Sequence, residues 1–410
     1  MKYKQKINIL VLNCGSSSLK YKIISMPDGS ELARGEAERV GTKTQGISRI
    51  THFVFGKKRI VKTLLSDHSV ALKKVLALID SDTQKNPRIK FDIFVHRYVH
   101  PGSFFNKPTK VNKSVLAKLK LTLPLATIHN PITYKLIEFC RKEYASIEQF
   151  IVFDTTFHKT IPKQFASYAL PLMVTKKYGI KKIGFHGISH RYVMEEACKF
   201  LGKKHSSQKI ISCHLGTGGS SICAIDKGKS INNSMGFTPL EGLMMNTRCG
   251  DIDPGAVFYI MFKKKLSAEE AENMLNNKSG ILGIFNVSSD LRDVIKDKDK
   301  DKQANMAFKM YVQRVRAYIS FYALILKKAN ILIFTDSLGA GSPILREAIC
   351  ENMAFLGINL DKGKNLRYCK GIGDISLLEA ETKALVVPTD EEIMIAREAY
   401  KELIKDDIGR

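Results

Sequence analysis

The sequence has few of the features that mark secreted, metal-binding or membrane proteins. Its 8 cysteines among 410 residues stand singly and form no Cys-x-x-Cys pair, so neither a disulfide framework nor a zinc site is indicated. A membrane-spanning helix needs about 18–20 apolar residues, and no run of that length is present. The short apolar run near the start continues directly into Asn13, which is unlike a signal peptide. We therefore expect a cytoplasmic protein without a membrane partner.

Acidic residues are scarce relative to basic ones. Lys and Arg number 65 and Asp and Glu 40, which gives a formal net charge of +25. This charge would attract nucleic acid or anionic substrates, but no nucleic-acid-binding module accompanies it. We interpret the excess as solvated surface lysine that also steers phosphate ligands, and we expect no nucleic-acid partner. The length allows two or three domains with substantial cores.

A glycine-rich stretch between two predicted strands is the first indication of function. Residues 209–233 have the sequence KIISCHLGTGGSSICAIDKGKSINN, which predicts strand, glycine-rich loop, strand, tight turn and strand. Glycines let successive backbone N–H groups converge on an anion because no Cβ blocks the approach. Residues 7–37 repeat the same order. One copy alone also fits an ordinary hairpin, but two copies predict a duplicated domain with a phosphate-binding cleft between the copies.

Predicted strands alternate with predicted helices, which indicates an α/β layer architecture. Arg97 and Asp154 each lie just past a predicted strand, where polar residues fall at the ligand crevice. We expect an N-terminal domain over residues 1–155 and a C-terminal domain over residues 156–387. A last helix, about residues 388–410, is expected to pack back on the first domain.

Two helices carry specific expectations of their own. Thr389 and Glu392 have the spacing of a capping box that would open the last helix. A long helix is predicted over residues 303–328, with apolar residues at mostly helical intervals (Met306, Met310, Val312, Ile319 and Leu324), and its methionines are expected in the core.

Segments along essentially the whole chain resemble the acetate kinase family in order and spacing. The most specific are GFHGISHRYV at residues 184–193 and MGFTPLEGLMMNTRCGDIDPG at residues 235–255, joined by LNCGSSSLKYKI, HRYVHPG, VFDTTFH and HLGTGGS. The resemblance implies the duplicated two-domain fold of sugar kinases, actin and chaperone ATPases. In that fold each domain is a mixed sheet flanked by helices, and an interdomain cleft holds the ligands.

The resemblance also implies a reaction and its partners. The reaction is reversible phosphoryl transfer between ATP and acetate, or another short carboxylate, giving acetyl phosphate and ADP. The enzyme would be a cytoplasmic homodimer of organic acid metabolism that depends on Mg²⁺, with Mn²⁺ as an alternative, and its C-terminal domain would carry the nucleotide-side loops and the dimer interface.

Matching the family's motifs residue by residue gives four sets of candidate site residues. The catalytic candidates are Asp154, His186, Arg248 and Arg97. The candidates for the acyl-substrate site are Arg97, Val99, Ile128, His129, Phe185 and Pro239. The nucleotide and phosphate candidates are Ser18, Lys20, His214, Leu215, Gly216, Thr217, Gly218, Asp290, Leu291, Arg292, Asp336, Ser337 and Gly339. The metal-side candidates are Asn13 and Glu391.

These residue types suit the reaction. A carboxylate is already ionised at neutral pH, so the acceptor needs no general base. The site must instead hold two anions and stabilise the moving phosphoryl group, for which Arg97 and Arg248 supply permanently charged forks. Alternatives remain for three residues: Glu391 as a helix-start carboxylate, Lys20 on the solvent side of its strand, and His129 as a structural histidine.

The chain also departs from the family's pattern. Thr217 stands where the family has asparagine, and Pro101 stands at a usually flexible position. The nucleotide loop, typically TGGIGEN or TAGIGEN, is TDSLGAG at residues 335–341. The alternatives are therefore a propionate or butyrate kinase, a pyrophosphate-dependent acyl kinase, or a catalytically weakened ligand-binding paralogue. The joint presence of Arg97, Asp154, His186 and Arg248 favours an active enzyme.

Overall fold

The computed structural model describes residues 6–42, 48–127 and 129–408, so Ile128 lies outside the described residues. The chain divides into two compact units. One consists of Met1–Thr156 with Asp390–Arg410, and the other of Phe157–Thr389. Among the described helices, none combines the length and apolar character that a membrane crossing requires.

Each unit is built on a mixed sheet. The strands of the first unit are β1 (Ile7–Cys14), β2 (Ser18–Met26), β3 (Ser30–Glu38), β4 (Arg49–Val54), β5 (Lys57–Lys62), β6 (Ile93–Tyr98), β7 (Thr109–Lys110) and β8 (Glu148–Phe153). They are ordered β5-β4-β3-β2-β1-β6-β8-β7. The strands of the second unit are β9 (Lys209–Leu215), β10 (Ser220–Asp226), β11 (Lys229–Asn233), β12 (Ile331–Thr335), β13 (Gly373–Asp374) and β14 (Lys383–Val386). Their order is β11-β10-β9-β12-β14-β13.

Helices flank both sheets. Those preceding residue 156 are α1 (His68–Lys85), α2 (Lys113–Leu121) and α3 (Asn130–Glu143). Those of the second unit are α4 (Lys163–Ala166), α5 (Leu172–Tyr178), α6 (Gly187–Phe200), α7 (Pro254–Lys264), α8 (Ala268–Asn277), α9 (Gly280–Phe285), α10 (Leu291–Asp297), α11 (Lys302–Leu326), α12 (Asp336–Gly341), α13 (Pro343–Cys350) and α14 (Lys362–Arg367). The last helix, α15 (Glu391–Ile408), belongs to the first unit.

The same strand arrangement occurs in both units. β1 pairs antiparallel with β2 and parallel with β6, and β6 pairs parallel with β8. In the second unit β9 pairs antiparallel with β10 and parallel with β12, and β12 pairs parallel with β14. The loop after β1 and the glycine-rich loop after β9 therefore lie at the edge where the parallel strands end. This repeat confirms the duplicated hairpin predicted from the sequence.

The two faces of β9 serve different purposes. Ile211, Cys213 and Leu215 are fully buried in the larger core of the second unit, which also contains residues of α11. Ile210, on the opposite face, packs in a smaller core with Val193 and other residues of α6. Because side chains alternate along a strand, Ser212 and His214 lie on this α6 side.

Two helix-level expectations are wrong. Val312 and Ile319 of α11 are buried, but Met306, Met310 and Leu324 are between 39% and 76% exposed, because they lie on the face of the helix that points away from the sheet. The last helix is capped by Asp390, whose carboxylate accepts a hydrogen bond from the Ile393 N–H at 3.0 Å. Thr389 does not cap it. Its hydroxyl instead accepts a hydrogen bond from Ser189 at 2.9 Å.

Candidate active site

Four predicted site residues of the first unit come together where its parallel strands end. Arg97, near the end of β6, donates from Nη2 to Asp154 Oδ2 at 2.9 Å, and Asp154 directly follows β8. The Nη1 atom of Arg97 donates to Asn13 Oδ1 at 3.4 Å. The Nε atom of Arg97 lies 3.8 Å from Oε2 of Glu391, at the start of α15. One guanidinium thus links an amide and two carboxylates.

The charge of this cluster is held in a buried environment. Asp154 is 1% exposed and the Arg97 side chain 13%. Burial lowers the pKa of the Arg97 guanidinium, but the carboxylates of Asp154 and Glu391 outweigh this effect and raise it above its ordinary value. Arg97 is therefore a permanent, rigidly placed cation.

Glu392 is a member of this cluster that the sequence did not reveal as a site residue. Asn13 Nδ2 donates to Glu391 Oε2 at 3.1 Å and to Glu392 Oε1 at 2.9 Å. The sequence signal at Glu392 was its position in a supposed capping box. Both carboxylates instead hold the Asn13 amide, so that the amide oxygen of Asn13 faces Arg97.

The remaining described candidates of the first unit have different settings. Val99 is buried directly after β6, and His129 precedes α3 without a side-chain capping hydrogen bond. Ser18 begins β2 and is half-buried. Lys20 is exposed and borders a surface pocket of about 290 Å³ that Glu392 also lines. The exposure of Lys20 agrees with the alternative interpretation, in which this side chain lies on the solvent side of its strand.

In the second unit, His186 is held in an unusual backbone conformation. It precedes α6 with φ of 57°, in the left-handed region that few non-glycine residues adopt. The carbonyl of Phe185 accepts hydrogen bonds from His158 Nε2 at 2.9 Å and from Asn233 Nδ2 at 3.2 Å. A Cβ at Gly184 would lie 2.8 Å from the His158 ring, so glycine is required for this close approach. These contacts fix the peptide that carries His186.

Arg248 and His186 lie beside the same point of the glycine-rich loop. A Cβ at Gly219 would be 3.4 Å from Arg248 Nη1 and 3.5 Å from His186 Cε1. The His186 ring also stacks on His214, with centroids 4.1 Å apart. Burial lowers the pKa of Arg248, since few water molecules solvate the guanidinium. A cation and an imidazole are thus placed next to backbone that can hold an anion.

The glycine-rich loop is also in contact with the altered segment that follows β12. Asp336 Oδ2 lies 3.3 Å from His214 Nε2, and a Cβ at Gly216 would be 2.0 Å from the same oxygen. The Thr217 N–H donates to Ser337 Oγ at 3.1 Å. Apart from its two chain neighbours, no described residue has a heavy atom within 4 Å of where a Cβ of Gly218 would be. The loop is therefore open at Gly218, whereas at Gly216 it has a carboxylate against it.

A family model described as the acetokinase family matches residues 8–397. The chain belongs to the acetokinase family. It is 43% identical over 401 residues to the acetate kinase of Thermoanaerobacterium thermosaccharolyticum, with 96% of this chain and 98% of the relative covered. Among solved structures, the acetate kinase of Porphyromonas gingivalis matches with a TM-score of 0.87 and 38% identity, covering 97% of this chain and 100% of that one. A propionate kinase from Francisella tularensis matches with a TM-score of 0.87 and 35% identity, covering 96% and 98%. The family and the fold class predicted from the sequence are confirmed.

Other candidates suggested by the acetokinase resemblance have a clear local role. Asp290 caps α10 by accepting from the Arg292 N–H at 2.9 Å, and Arg292 Nε donates to both oxygens of Asp290 at 3.0 Å. Leu291 and Leu215 are fully buried, so their side chains serve the core rather than a ligand surface. Gly339 packs against β9, since its Cβ would be 3.5 Å from the Cys213 carbonyl oxygen.

Pro239 lies half-buried in a turn of the acetokinase motif at residues 235–255. Its proposed partner in the acyl pocket, Ile128, lies outside the described residues.

Sequence reasoning missed the residues that hold the His186 ring and the preceding peptide through hydrogen bonds. These are His158, His190, Ser212, Ser221 and Asn233. Ser221 lies in the glycine-rich stretch, at residues 209–233, but nothing in that pattern relates it to His186. The one available signal was the His-x-x-x-His spacing of His186 and His190, which puts both rings on one side of a helix start.

Proposed function

We propose that this acetokinase-family chain transfers the γ-phosphoryl group of ATP reversibly to acetate, giving acetyl phosphate and ADP. The observation that carries the proposal is the convergence of Arg248 and His186 at Gly219, in a loop whose backbone suits phosphate. Its family relatives include acetate kinases over nearly the full chain. A phosphoryl group in transfer carries charge on its equatorial oxygens, and a guanidinium with an imidazole N–H stabilises that charge.

The first unit supplies the acceptor side of this proposal. Arg97 is a buried cation held in place by its hydrogen bond to Asp154, and its permanent positive charge suits a carboxylate or a phosphoryl oxygen. Acetate is ionised at neutral pH and attacks without a general base. Val99, Ile128, Phe185 and Pro239 are proposed to line the acyl site. One methylene changes binding in such a pocket by only about 1–3 kcal/mol, so propionate is an acceptor to be tested beside acetate.

The proposed metal is Mg²⁺, with Mn²⁺ as an alternative. Among the described residues, no three His, Cys, Asp or Glu side chains are placed to hold a metal together. Mg²⁺ usually needs only one or two carboxylates because phosphates and water complete its octahedron. Asn13, Asp154 and Glu391 offer hard oxygen donors within one cluster, which fits this ion. When bound, Mg²⁺ neutralises charge on the donor phosphates.

The proposed assembly is a homodimer formed through the second unit. Helix α7 has no buried residue, and its Phe258, Tyr259 and Phe262 are between 63% and 81% exposed. Large aromatic side chains on one short helix are unfavourable in water and are enriched at interfaces. A second copy of the chain would cover them. Sedimentation velocity should give a dimer for the wild type and a monomer for Phe262→Glu, whereas Lys227→Glu, in the turn between β10 and β11, should stay dimeric.

The proposed compartment is the cytoplasm. All eight cysteines are free, as expected where thiols are kept reduced. Burial raises the pKa of Cys14 to about 12, so this thiol is inert.

Acyl phosphate formation, trapped as hydroxamate, tests the proposal. Acetate, propionate and butyrate are compared as acceptors, and ATP and pyrophosphate as donors, with and without Mg²⁺. We expect Mg²⁺-dependent turnover with ATP and acetate that Arg248→Ala lowers by about 10²–10³-fold and that Arg49→Ala, at an exposed ion pair, leaves unchanged. Absence of acyl phosphate with every pair would favour the ligand-binding paralogue.

A further inference from the structure

Four side chains of the second unit form a continuous hydrogen-bonded chain that ends at His186. His186 Nδ1 lies 2.9 Å from Ser221 Oγ, and Ser221 Oγ lies 2.8 Å from His190 Nε2. His190 Nδ1 lies 2.9 Å from Ser212 Oγ. Ser212, His190 and Ser221 are fully buried, so water does not compete for these bonds. We call Ser212, His190 and Ser221 the serine–histidine relay.

The hydrogen bonds of the relay can be donated in only two directions. Burial lowers the pKa of His190 well below its ordinary value, so this ring is neutral and carries one N–H. Ser221 has one hydroxyl proton and two nitrogen partners. If Ser221 donates to His186, it accepts from His190 Nε2–H, and His190 Nδ1 must accept from Ser212. If Ser221 donates to His190, then His186 Nδ1 must be the protonated nitrogen and His190 Nδ1–H donates to Ser212.

Ser212, at the buried end of the relay, decides between the two directions. Within the described residues, its hydroxyl has His190 Nδ1 as its hydrogen-bond partner and no second acceptor. In the first direction the Ser212 proton is donated and every relay hydrogen is used. In the second direction the Ser212 proton is left in the protein interior without an acceptor, which costs free energy. The first direction is therefore the stable one.

We propose that Ser212, His190 and Ser221 are positioning residues that hold His186 in the tautomer with its proton on Nε2. In this tautomer Nδ1 accepts from Ser221, and Nε2–H is a neutral donor on the side of the ring that lies 3.6 Å from the Cβ position of Gly219. A lone pair at Nε2 would repel a phosphoryl oxygen, whereas an N–H donates to it. The inference rests on the proposed function for the identity of the ligand. The tautomer itself does not depend on that function.

The tautomer can be read without turnover. The protein is labelled with ¹⁵N-histidine, and long-range ¹H–¹⁵N correlations distinguish protonated from unprotonated ring nitrogens. The His186 signals are assigned by their loss in His186→Gln. We expect a protonated Nε2 and an unprotonated Nδ1 in the wild type, and a shift toward protonated Nδ1 in Ser212→Ala. Ser212→Thr, which keeps the hydroxyl, should restore the wild-type pattern.

Kinetics supply the second readout. Ser212→Ala and Ser221→Ala should lower kcat about tenfold or more with KM for acetate and ATP nearly unchanged, since a wrong histidine tautomer lowers kcat by up to about 10⁴-fold in serine proteases. Ser25→Ala, which removes a buried strand hydroxyl of the first unit, should change neither kcat nor the spectra. If Ser212→Ala does not fold, Ser221→Ala and Ser221→Thr carry the same comparison at the next position.

Three results separate the relay from the proposed function. A protonated Nδ1 on His186 in the wild type, or identical His186 spectra in the wild type and both alanine variants, would overturn the relay. The expected spectra in a protein that makes no acyl phosphate would support the relay and refute the proposed function.

Discussion

The altered loop at residues 335–341 leads to a prediction about ATP binding that rests directly on the structure. Asp336 and Ser337 stand where the family typically has glycine or a small residue, and both side chains contact the glycine-rich loop. Asp336 Oδ2 lies 3.3 Å from His214 Nε2 and next to Gly216. The Ser337 hydroxyl accepts from the Thr217 N–H at 3.1 Å. We predict that Asp336→Gly with Ser337→Gly lowers KM for ATP several-fold.

The magnitude follows from charge and distance. Two like charges about 4 Å apart repel by about 1 kcal/mol in water and by about 4 kcal/mol at an effective dielectric constant of 20. The Asp336 side chain is 33% exposed, so solvent screening places the effect near the low end. About 1 kcal/mol corresponds to about a fivefold change in KM. Release of the Thr217 N–H from Ser337 adds a donor for phosphate in the same direction.

The backbone should tolerate the change. Asp336 has φ of 64°, a left-handed conformation that glycine adopts without the penalty of a Cβ. The double variant should therefore keep the thermal stability of the wild type. Asp336→Asn separates charge from size, because it keeps the side chain and removes the carboxylate. If repulsion is the cause, Asp336→Asn should recover most of the effect on KM.

Initial rates of hydroxamate formation at varied ATP and saturating acetate measure the effect. Pyrophosphate is tested as a smaller donor in parallel, since a weak ATP site together with pyrophosphate turnover would favour the alternative donor. The reasoning is refuted if the wild type binds ATP tightly and the double variant binds it less well. In that case Asp336 holds the nucleotide, for example at a ribose hydroxyl.

Three further predictions concern separate parts of the chain. Arg97→Ala and Arg248→Ala should each lower kcat by about 10²–10³-fold with an unchanged circular dichroism spectrum. Near-wild-type turnover would remove that arginine from the mechanism. Ile128→Ala should raise kcat/KM for butyrate relative to acetate, and an unchanged ratio would exclude Ile128 from the acyl site. Burial lowers the pKa of His96 to about 4, against about 6.5 for an exposed histidine. The unfolded state therefore takes up this proton first, and His96 alone should lower the free energy of unfolding by up to about 2 kcal/mol from pH 7 to 5. Urea unfolding of His96→Gln should show a smaller fall.

The fold could be predicted because its signals are local. Strand, glycine-rich loop and strand are encoded within about 25 consecutive residues, and the second copy at residues 7–37 made the duplication recognisable. Arg97 and Asp154 could be singled out because polar residues past strand ends lie at a sheet's ligand edge. Their 2.9 Å contact follows from the parallel pairing of β6 and β8, which strand order along the chain does not specify.

Where prediction from sequence failed, the missing information was tertiary. Periodicity placed Met306 and Met310 on one face of α11, but it does not tell which face the sheet covers. Thr389 and Asp390 are both good capping residues, and the contact of Thr389 with Ser189 leaves the cap to Asp390. The serine–histidine relay was missed for the same reason. Ser221 meets His186 only because α6 packs across β9 and β10.

The altered loop at residues 335–341 and His186 are separated by a single ring, that of His214. Asp336 contacts His214, and His214 stacks on His186 with centroids 4.1 Å apart. His214 is fixed on its other side by Ser189, whose hydroxyl lies 2.8 Å from Nδ1. Because Nδ1 and Nε2 of His214 both have contacts, this ring cannot rotate without breaking one of them. It therefore restricts the movement of the His186 ring that stacks on it. The Asp336 carboxylate, which we predict to weaken ATP binding, thus also contacts the stack of His214 on His186. For this reason a loss of Asp336 is expected to act on donor binding through charge and on kcat through the order of the stack, so that KM and kcat need not change in the same direction.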